Sequence, residues 1–334
     1  MELLWCAFDL NRDCNRDCSF CCNKPFSGER FDNQKLGLAL AKIETIVSKY
    51  GVKNISVPIL GGEPLLHPDL PLKLMALLKR LSAKTDVWMY TNGDLLTEKI
   101  IKIYKNERIW ITLSAAESPT DEIVEKIKFL KRFYRIPRLS VTLTRFNLLR
   151  LADIVRKSIE VGFTIRFRNQ YEPSDDLISL YEERVPEAIR LYSLNPIITP
   201  RNLVYTYEDF WPYWKDEKSP YTCGRSFIHF DADGGMRACS GDVNSASLGT
   251  IFDVGDPIEK LGMAVSSGEA GRWSARNISE CQACEFKMIC QGSCPLTRKK
   301  YYGDFNKPSP YCGGIKKALP VFIELCKKKM EGVC

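Results

Sequence analysis

Three cysteines near the start of the chain have the type and spacing of iron ligands: Cys14, Cys18 and Cys21. Gaps of three and two residues place three thiolates on one short loop, which suits an iron-sulfur cubane whose fourth iron is left for a ligand other than protein. The alternatives are a zinc knuckle and three buried thiols. A structural zinc site closes with four ligands, and the side chain of the adjacent Cys22 would point elsewhere. The loop therefore favours a three-cysteine cluster with an open iron.

A second cysteine series fills residues 223 to 312 and offers the same chemistry farther along the chain. Ten residues separate Cys223 from Gly234, and four more separate Gly234 from Cys239. Cysteine counting alone also permits a pair of zinc sites. The later group has gaps of two, five, three and seventeen residues, between Cys281, Cys284, Cys290, Cys294 and Cys312.

The composition is that of an ordinary globular protein that binds metal. Of the 334 residues, 45% are hydrophobic and 27% are charged, which excludes disorder and a fibrous repeat. No run reaches the roughly 18 apolar residues of a membrane span, and the first residues lack the basic segment of a signal peptide. We therefore expect a cytoplasmic protein with no membrane partner. The net charge of +7 is not concentrated in a basic stripe, so we expect no nucleic-acid partner.

The cysteine count fits this location. Thiols stay reduced in the cytoplasm, so 14 cysteines are expected to bind metal rather than to form disulfides. Zinc sites of the finger type have few ligands to use, because His67 and His229 are the only two histidines.

Six short β-rich stretches alternate with periodic helical stretches over the first 195 residues. This alternation predicts an α/β fold of parallel βαβ units with right-handed crossovers. Six units match a partial (β/α)6 TIM-like barrel better than a closed eight-fold barrel. The predicted strands are 3–10, 53–60, 86–90, 109–114, 139–144 and 163–167, and the predicted helices lie near 34–50, 69–83, 96–106, 119–134 and 148–161.

The notable polar residues follow the carboxyl ends of these strands, where parallel sheets carry function. The cysteine loop follows the first strand, Gly61-Gly62-Glu63-Pro64 follows the second, Thr91-Asn92-Gly93 follows the third, and Ser114 ends the fourth. Taken singly, the first tetrapeptide could be a turn with a surface glutamate and the tripeptide a simple turn. Ser114 could likewise be an ordinary strand-end serine. Together, these residues are predicted to line one mouth of the barrel.

The pattern along the chain predicts four regions. The barrel covers 1–195, and a proline- and aromatic-rich bridge covers 196–220. A small cysteine-rich lobe covers 221–312, where clusters are expected to hold the structure in place of a large apolar core. A C-terminal helix is predicted in 313–334.

The first cysteine loop resembles the Cys-x3-Cys-x-aromatic-Cys motif of radical S-adenosylmethionine enzymes, with Phe20 at the aromatic position, although Phe20 alone would be plain core. In that family a [4Fe-4S] cluster binds S-adenosylmethionine through its fourth iron, and a 5'-deoxyadenosyl radical then abstracts hydrogen from the substrate. The resemblance implies cofactor contacts for the GGE-like motif, for the TNG-like motif and for the strand-four serine. The residues concerned are Gly61, Gly62, Glu63, Pro64, Asn92 and Ser114.

The second cysteine series resembles the seven-cysteine pattern of SPASM domains, and the run 248–251 resembles a Leu-Gly-Asn-Ile stretch of that family. The resemblance implies two auxiliary clusters, expected to be [4Fe-4S]. Many relatives have an eighth cysteine where residues 224–238 have none, which leaves an open iron or a ligand from elsewhere such as Cys326. The other cysteines, Cys6, Cys22 and Cys334, are explained as buried or incidental thiols. A distal cluster would be held by Cys281, Cys284, Cys290 and Cys312, and a nearer one by Cys223, Cys239 and Cys294.

SPASM enzymes mostly modify ribosomally made peptides or proteins, so the resemblance implies hydrogen abstraction from such a substrate, with oxidative modification or crosslinking as the outcome. A dehydrogenase of a small metabolite is the alternative, and a non-catalytic zinc-binding scaffold is a distant one. Ser240 stands where sulfatase maturases have an aspartate, which disfavours formylglycine formation. Flavodoxin or ferredoxin is the expected electron donor. Only thirteen residues precede Cys14, so leader recognition is expected from a separate protein or from the barrel and bridge.

Overall fold

The computed structural model describes residues 1, 3–21, 23–24, 27–115, 117–192, 226–241, 247–260, 277–290 and 292–330. The predicted bridge lies outside these residues, as do Cys22, Cys223 and Cys334 and the side chain of Cys326. Two compact units are built from interleaved parts of the chain. The first combines 1–112 with 221–270, and the second combines 113–220 with 271–334.

Nine strands occur in the described residues, and the first six alternate with helices as the sequence predicts. This arrangement confirms the α/β fold with a parallel sheet of six strands, of the partial-barrel type. The strands are β1 (Leu3–Asp9), β2 (Asn54–Leu60), β3 (Lys84–Thr91), β4 (Ile109–Ser114), β5 (Arg138–Thr142), β6 (Thr164–Arg168), β7 (Phe227–Phe230), β8 (Gly235–Arg237) and β9 (Ser247–Thr250).

Helices connect the strands and build most of the second unit. Within the described residues, none of them is both long and apolar enough to cross a membrane. A short 3-10 turn covers Pro64–Leu66. The helices are α1 (Asn33–Tyr50), α2 (Asp69–Leu78), α3 (Glu98–Asn106), α4 (Thr120–Lys131), α5 (Arg145–Leu149), α6 (Leu151–Val161), α7 (Asp175–Tyr192), α8 (Ser279–Gln282), α9 (Lys287–Cys290), α10 (Pro295–Tyr302) and α11 (Cys312–Met330).

In the first unit, the strand order is β4-β3-β2-β1-β7-β8-β9. β1 lies between β2 and β7 and is parallel to both, with Phe8 opposite Ile59 on one side and Phe230 on the other. β8 and β9 continue the sheet in antiparallel fashion. The rings of Phe8 and Phe230 stack with centroids 4.7 Å apart. The chain after residue 226 therefore extends the sheet on the open side of β1.

Local sequence explains where the first helices begin and end. The Asp32 side chain accepts from Lys35 N at 2.8 Å and caps α1, which ends at Gly51 with a left-handed φ of +57°. The predicted helix near 148–161 is divided in the structure. Thr144 caps α5, and Arg150, with φ −115°, leaves the helical region before α6 begins.

In the second unit, β5 and β6 pair in parallel, and α7 packs against α6 and α11. The rings of Tyr181 and Tyr311 lie 4.5 Å apart, and Tyr311 Oη donates to Gln170 O at 3.1 Å. A Cβ at Gly314 would lie 2.5 Å from the Tyr181 ring. Glycine at that position allows α11 to approach α7 closely, just after Cys312.

Candidate functional site

The three predicted cluster cysteines of the N-terminal loop follow β1, and all three side chains are half-buried. Arg16 N donates to Cys14 Sγ at 3.4 Å, and Cys21 N donates to Cys18 O at 3.3 Å. The loop is therefore a compact series of turns. At its far end, Asn23 Nδ2 donates to Gly61 O at 2.7 Å.

The backbone of Gly61–Glu63 lies directly against the residues that lead into this loop. Gly62 N donates to Asn11 O at 2.8 Å, and Glu63 N donates to Asp13 O at 2.7 Å. A Cβ at Gly62 would lie 1.8 Å from Asp13 O, which no side chain tolerates. The glycine allows this close approach, so its first role is to seat the cysteine loop against the end of β2.

Glu63 is buried, not on the surface, with 1% of its area exposed. Its Oε1 accepts from Leu65 N at 3.0 Å and from Thr91 Oγ1 at 2.7 Å, and its Oε2 accepts from Asn92 N at 2.9 Å. Burial raises the pKa of Glu63, and these three hydrogen bonds offset part of that rise. The carboxylate therefore links the ends of β2 and β3.

The end of β3 also holds the cysteine loop. Asn92 Nδ2 donates to Asn15 Oδ1 at 2.8 Å, next to Cys14. The Arg16 guanidinium makes a two-point contact with Asp94, with Nε 2.6 Å from Oδ2. Asn92 therefore contacts both the buried glutamate and the cysteine loop.

The remaining predicted cofactor contacts fall in three places. Pro64 is buried at the start of the 3-10 turn, and Phe20 is half-buried within the cysteine loop. Ser114 ends β4, is half-buried and belongs to the second unit. The structure thus brings Glu63, Asn92 and the cysteine loop together in the first unit.

A buried group of charged residues on β1, β7 and β8 is a feature that the cysteine patterns gave no reason to expect. Asp9, His229, Asp231 and Arg237 are each at most 4% exposed. His229 Nε2 lies 3.1 Å from Asp9 Oδ2 and 3.5 Å from Asp231 Oδ1. The Arg237 guanidinium contacts both carboxylate oxygens of Asp231. A polar residue at every second position of the short apolar run 227–231 was the available signal.

The charges of this group shift the pKa values of Asp231 and His229. Burial alone would raise the pKa of Asp231, but His229 and Arg237 outweigh it and lower that pKa to about 2. Burial likewise would lower the pKa of His229, but Asp9 and Asp231 raise it above its ordinary value. The group is therefore a network of mutually paired charges.

The four cysteines assigned to the distal auxiliary cluster line one small, partly open cavity in the second unit. Lys287 and Lys316 also line it. The side chain of Cys290 is half-buried, and burial raises the pKa of its thiol to about 12, although the backbone N–H of Gly292 partly offsets the effect. The cysteines around this cavity are Cys281, Cys284, Cys290 and Cys312.

The two described cysteines assigned to the nearer cluster lie in different units. Cys239 follows β8 in the first unit and is half-buried, and its Sγ accepts from Gly241 N at 3.4 Å. Cys294 precedes α10 in the second unit and is also half-buried. It is not among the residues that line the four-cysteine cavity.

One local geometry recurs at these sites and is compatible with iron-sulfur ligands. The sulfurs of Cys14, Cys239 and Cys290 each accept a hydrogen bond from the backbone N–H two residues later. Such bonds stabilise a thiolate and tune the reduction potential of a cluster bound to it. The donor sets therefore fit the predicted clusters.

Comparison with known proteins identifies the N-terminal region. Residues 10–165 match the model of the Radical SAM superfamily. Over 113 residues the chain is 35% identical to GTP 3',8-cyclase of Staphylococcus carnosus (strain TM300). This alignment covers 31% of this chain and 32% of that protein. An uncharacterized protein of Archaeoglobus fulgidus is 22% identical over 342 residues, with 91% of this chain and 77% of that protein covered. The chain thus spans about a third of the curated cyclase it matches.

Two solved structures share the fold over most of the chain. The structure of native anSMEcpe with bound AdoMet and the Kp18Cys peptide gives a TM-score of 0.76 at 17% identity, with 98% of this chain and 100% of that chain covered. The structure of SuiB of Streptococcus suis bound to the precursor peptide SuiA gives a TM-score of 0.58 at 17% identity. The alignment covers 93% of this chain and 74% of that chain. The family model covers the cysteine loop, Glu63, Asn92 and Ser114. Residues 10–165, which include the cysteine loop and the ends of the first strands, therefore match the Radical SAM superfamily model.

Proposed function

We propose that the protein is a radical SAM enzyme of the SPASM type that abstracts hydrogen from a ribosomally made peptide or protein, giving oxidative modification or crosslinking. The observation that carries the proposal is the cavity lined by Cys281, Cys284, Cys290 and Cys312. Four thiols around one space suit an auxiliary cluster, which can accept the electron released when an oxidised product forms. The two solved structures named above contain peptides, and this supports a peptide substrate.

In this proposal Cys14, Cys18 and Cys21 hold the first cluster, and bound S-adenosylmethionine supplies the 5'-deoxyadenosyl radical. Glu63 is placed to accept from the methionine ammonium. Among the described residues, only Asn92 N donates to its Oε2, so that oxygen keeps a lone pair for a further donor. Glu63 and Asn92 together therefore act as a preformed polar support beside the cysteine loop.

Two auxiliary clusters complete the proposal. The distal one is held by the four-cysteine cavity, and the nearer one by Cys223, Cys239 and Cys294, with either an open iron or a further ligand such as Cys326. A flavodoxin or ferredoxin supplies the electron, and a substrate leader is bound by a separate protein or by the barrel and bridge. No disulfide joins any two of the ten cysteines whose side chains the structure describes, which supports a cytoplasmic enzyme.

The test uses the enzyme loaded with iron and sulfide without oxygen, together with candidate precursor peptides from neighbouring genes. We expect release of 5'-deoxyadenosine and a mass loss of about two hydrogens from the peptide, read by mass spectrometry. Cys14→Ala should abolish both signals. Cys6→Ala is the matched control, because Cys6 is a fully buried β1 thiol assigned to no cluster. Retained 5'-deoxyadenosine release by Cys14→Ala would refute the role of the loop.

A small-molecule dehydrogenase remains the second candidate; the sequence identity to GTP 3',8-cyclase supports a small-molecule substrate, although not dehydrogenation itself. The same loaded enzyme should be incubated with nucleoside triphosphates, including GTP, in place of peptide. Substrate-dependent 5'-deoxyadenosine release with GTP and none with peptides would support a small-molecule substrate, and an oxidised product would be needed to support the dehydrogenase. The distant alternative, a zinc scaffold, predicts a colourless protein that carries zinc and no sulfide.

A further inference from the structure

The carboxylate of Asp231 joins two arginines that come from distant parts of the chain. Arg237 contacts it through both Nε and Nη2. Arg12 Nη2 lies 3.4 Å from Asp231 Oδ1. The side chains of Asp231 and Arg237 are 5% exposed, and that of Arg12 is 21% exposed. The three groups therefore form a largely buried contact within the first unit.

Each of these arginines lies two residues before a predicted cluster cysteine. Arg12 precedes Cys14, and Arg237 precedes Cys239. Each of these cysteines also accepts a 3.4 Å hydrogen bond from the backbone N–H two residues after it. The same local arrangement thus occurs on two loops, and Asp231 is the group that both arginines contact.

The neighbours of Asp231 make this contact rigid. His229 lies between Asp9 and Asp231, and Arg237 Nη2 is 3.9 Å from Asp9 Oδ2. A buried ion network contributes little net stability compared with apolar residues of the same volume, because desolvation of the charges is costly. Its usual advantage is a defined geometry, since a charge that leaves its partner remains buried and unpaired.

A metal ion is a poor explanation for this group. Within the described part of the chain, Asp9, His229 and Asp231 are the one set of three potential ligands within 4.8 Å of one another. The guanidinium of Arg237, however, already contacts both oxygens of Asp231. A cation there would face a fixed positive charge at contact distance.

We propose that Asp231 is a positioning residue that fixes the two loops 12–14 and 237–239 through Arg12 and Arg237. By holding these loops, it sets the backbone N–H···S hydrogen bonds to Cys14 and Cys239. Because such bonds tune the reduction potential and the spectrum of a cluster, Asp231 affects two clusters and leaves the distal one unchanged. The inference rests on the proposed function, since it requires clusters on both loops.

The test compares three variants of the fully loaded enzyme by electron paramagnetic resonance and redox titration of each cluster. Asp231→Asn keeps the shape of the side chain and removes its charge. We expect it to change the spectra and potentials of the first and the nearer auxiliary clusters, and to weaken S-adenosylmethionine binding at least fivefold. Arg12→Gln should change the first cluster alone, and Arg237→Gln the nearer auxiliary cluster alone. The distal cluster is the internal reference in each protein.

Asp233→Asn is the matched control, because Asp233 is 48% exposed and its carboxylate lies 3.9 Å from the same Arg12. It should leave all three spectra as in the parent enzyme. If Asp231→Asn does not load iron, Arg12→Gln and Arg237→Gln decide the question, because each must still change its own cluster. Where Asp231→Asn is loaded, the double variant Arg12→Gln/Asp231→Asn should change the first cluster no more than Asp231→Asn alone does.

Unchanged first-cluster and nearer-cluster spectra in loaded Asp231→Asn, or an unchanged first cluster in Arg12→Gln, would overturn the inference. These outcomes differ from a failure of the proposed function. In that case the parent enzyme itself would lack iron and sulfide or would not cleave S-adenosylmethionine.

Discussion

The cysteine loop in the first unit and the four-cysteine cavity in the second are held in place in different ways. The loop is seated on strand ends by hydrogen bonds from Gly62 and Glu63 and by the contacts of Arg16. The cavity is formed by two four-residue helices, α8 and α9, by turns, and by the start of α11. One site lies on paired strand ends, whereas the other has α11 on one side and only one-turn helices and turns on the rest.

The physical difference is the amount of apolar surface and backbone pairing near each site. β1 and β2 are paired along their length and carry many fully buried side chains. Around α8, Ile278 and Cys281 form a small buried cluster of their own. Helices of one turn are unstable in isolation, so the proposed auxiliary cluster is expected to contribute much of the order around α8 and α9.

The largest expected effect is therefore the loss of local stability that follows removal of the distal cluster. In Cys312→Ala, amide hydrogen exchange over residues 277–290 should accelerate at least 100-fold, or about 3 kcal/mol of local stability. Exchange over β1 and β2 should remain as slow as in the parent protein. Cys6→Ala serves as the matched control. Equal protection of 277–290 in both variants would contradict the proposed dependence on metal.

A second variant tests whether the protein alone positions the N-terminal loop. Gly62→Ala places a Cβ where only 1.8 Å separates it from Asp13 O, so the loop must move. We expect a loss of about 3 kcal/mol or more in unfolding free energy, together with lost iron at the first cluster. Gly37→Ala, in α1 with open space around it, should be neutral or stabilising by about 0.5–1 kcal/mol. Normal iron content in Gly62→Ala would contradict the conclusion that the close contact between Gly62 and Asp13 positions the cysteine loop.

The charged network in the first unit predicts a pH dependence of stability. His229 has a folded pKa raised above 6.5, so its contribution is complete below pH 6.5 and is lost as the pH rises through the folded value. Asp231 has a folded pKa of about 2 against an ordinary 3.8, so its contribution is present above pH 4 and is lost on acidification toward pH 2.

The urea midpoint of the loaded enzyme should therefore fall as the pH rises above 6.5 and through the folded pKa of His229. His229→Gln should reduce that dependence, although it lowers the midpoint at every pH. An identical pH profile in the parent and the variant would show that His229 does not titrate with folding.

The smallest expected effect concerns the support of Glu63. Thr91→Val removes the hydroxyl that donates to Glu63 Oε1 at 2.7 Å. We expect a loss of about 1–2 kcal/mol in unfolding free energy, because the carboxylate stays buried with one donor fewer. S-adenosylmethionine should bind a fewfold more weakly. Thr85→Val, a half-buried position on the same strand, is the control, and equal binding by the two variants would place Glu63 outside cofactor recognition.

The alternation of strand-like and helical stretches over the first 195 residues made the barrel predictable. Each of the six predicted strands overlaps an observed one, and Ile109–Ser114 is identical in both. Strands 227–230 and 235–237 were not predicted, because three or four residues are too few to show a period. The pairing of 227–230 with β1 depends on contacts between residues more than 200 positions apart, which local sequence does not encode.

The residue types of the candidate site were predictable, but the hydrogen bonds that hold these residues in place were not. Motif spacing pointed to Glu63 and Asn92, yet the hydrogen bond between them and the contact of Asn92 with Asn15 depend on the tertiary fold. The role of Asp231 was hidden for the same reason. An aspartate before a glycine-rich turn is common, and only the fold shows that two arginines from separate loops meet it.

The most direct test of the two kinds of site is metal and sulfide analysis of the enzyme beside a variant in which Cys14, Cys18 and Cys21 are all replaced by alanine. We expect about twelve iron and twelve sulfide per parent chain and about eight of each in the variant, with no 5'-deoxyadenosine formed by the variant. Zinc in place of iron, or iron content unchanged by the triple replacement, would contradict a protein-seated radical cluster beside two auxiliary ones.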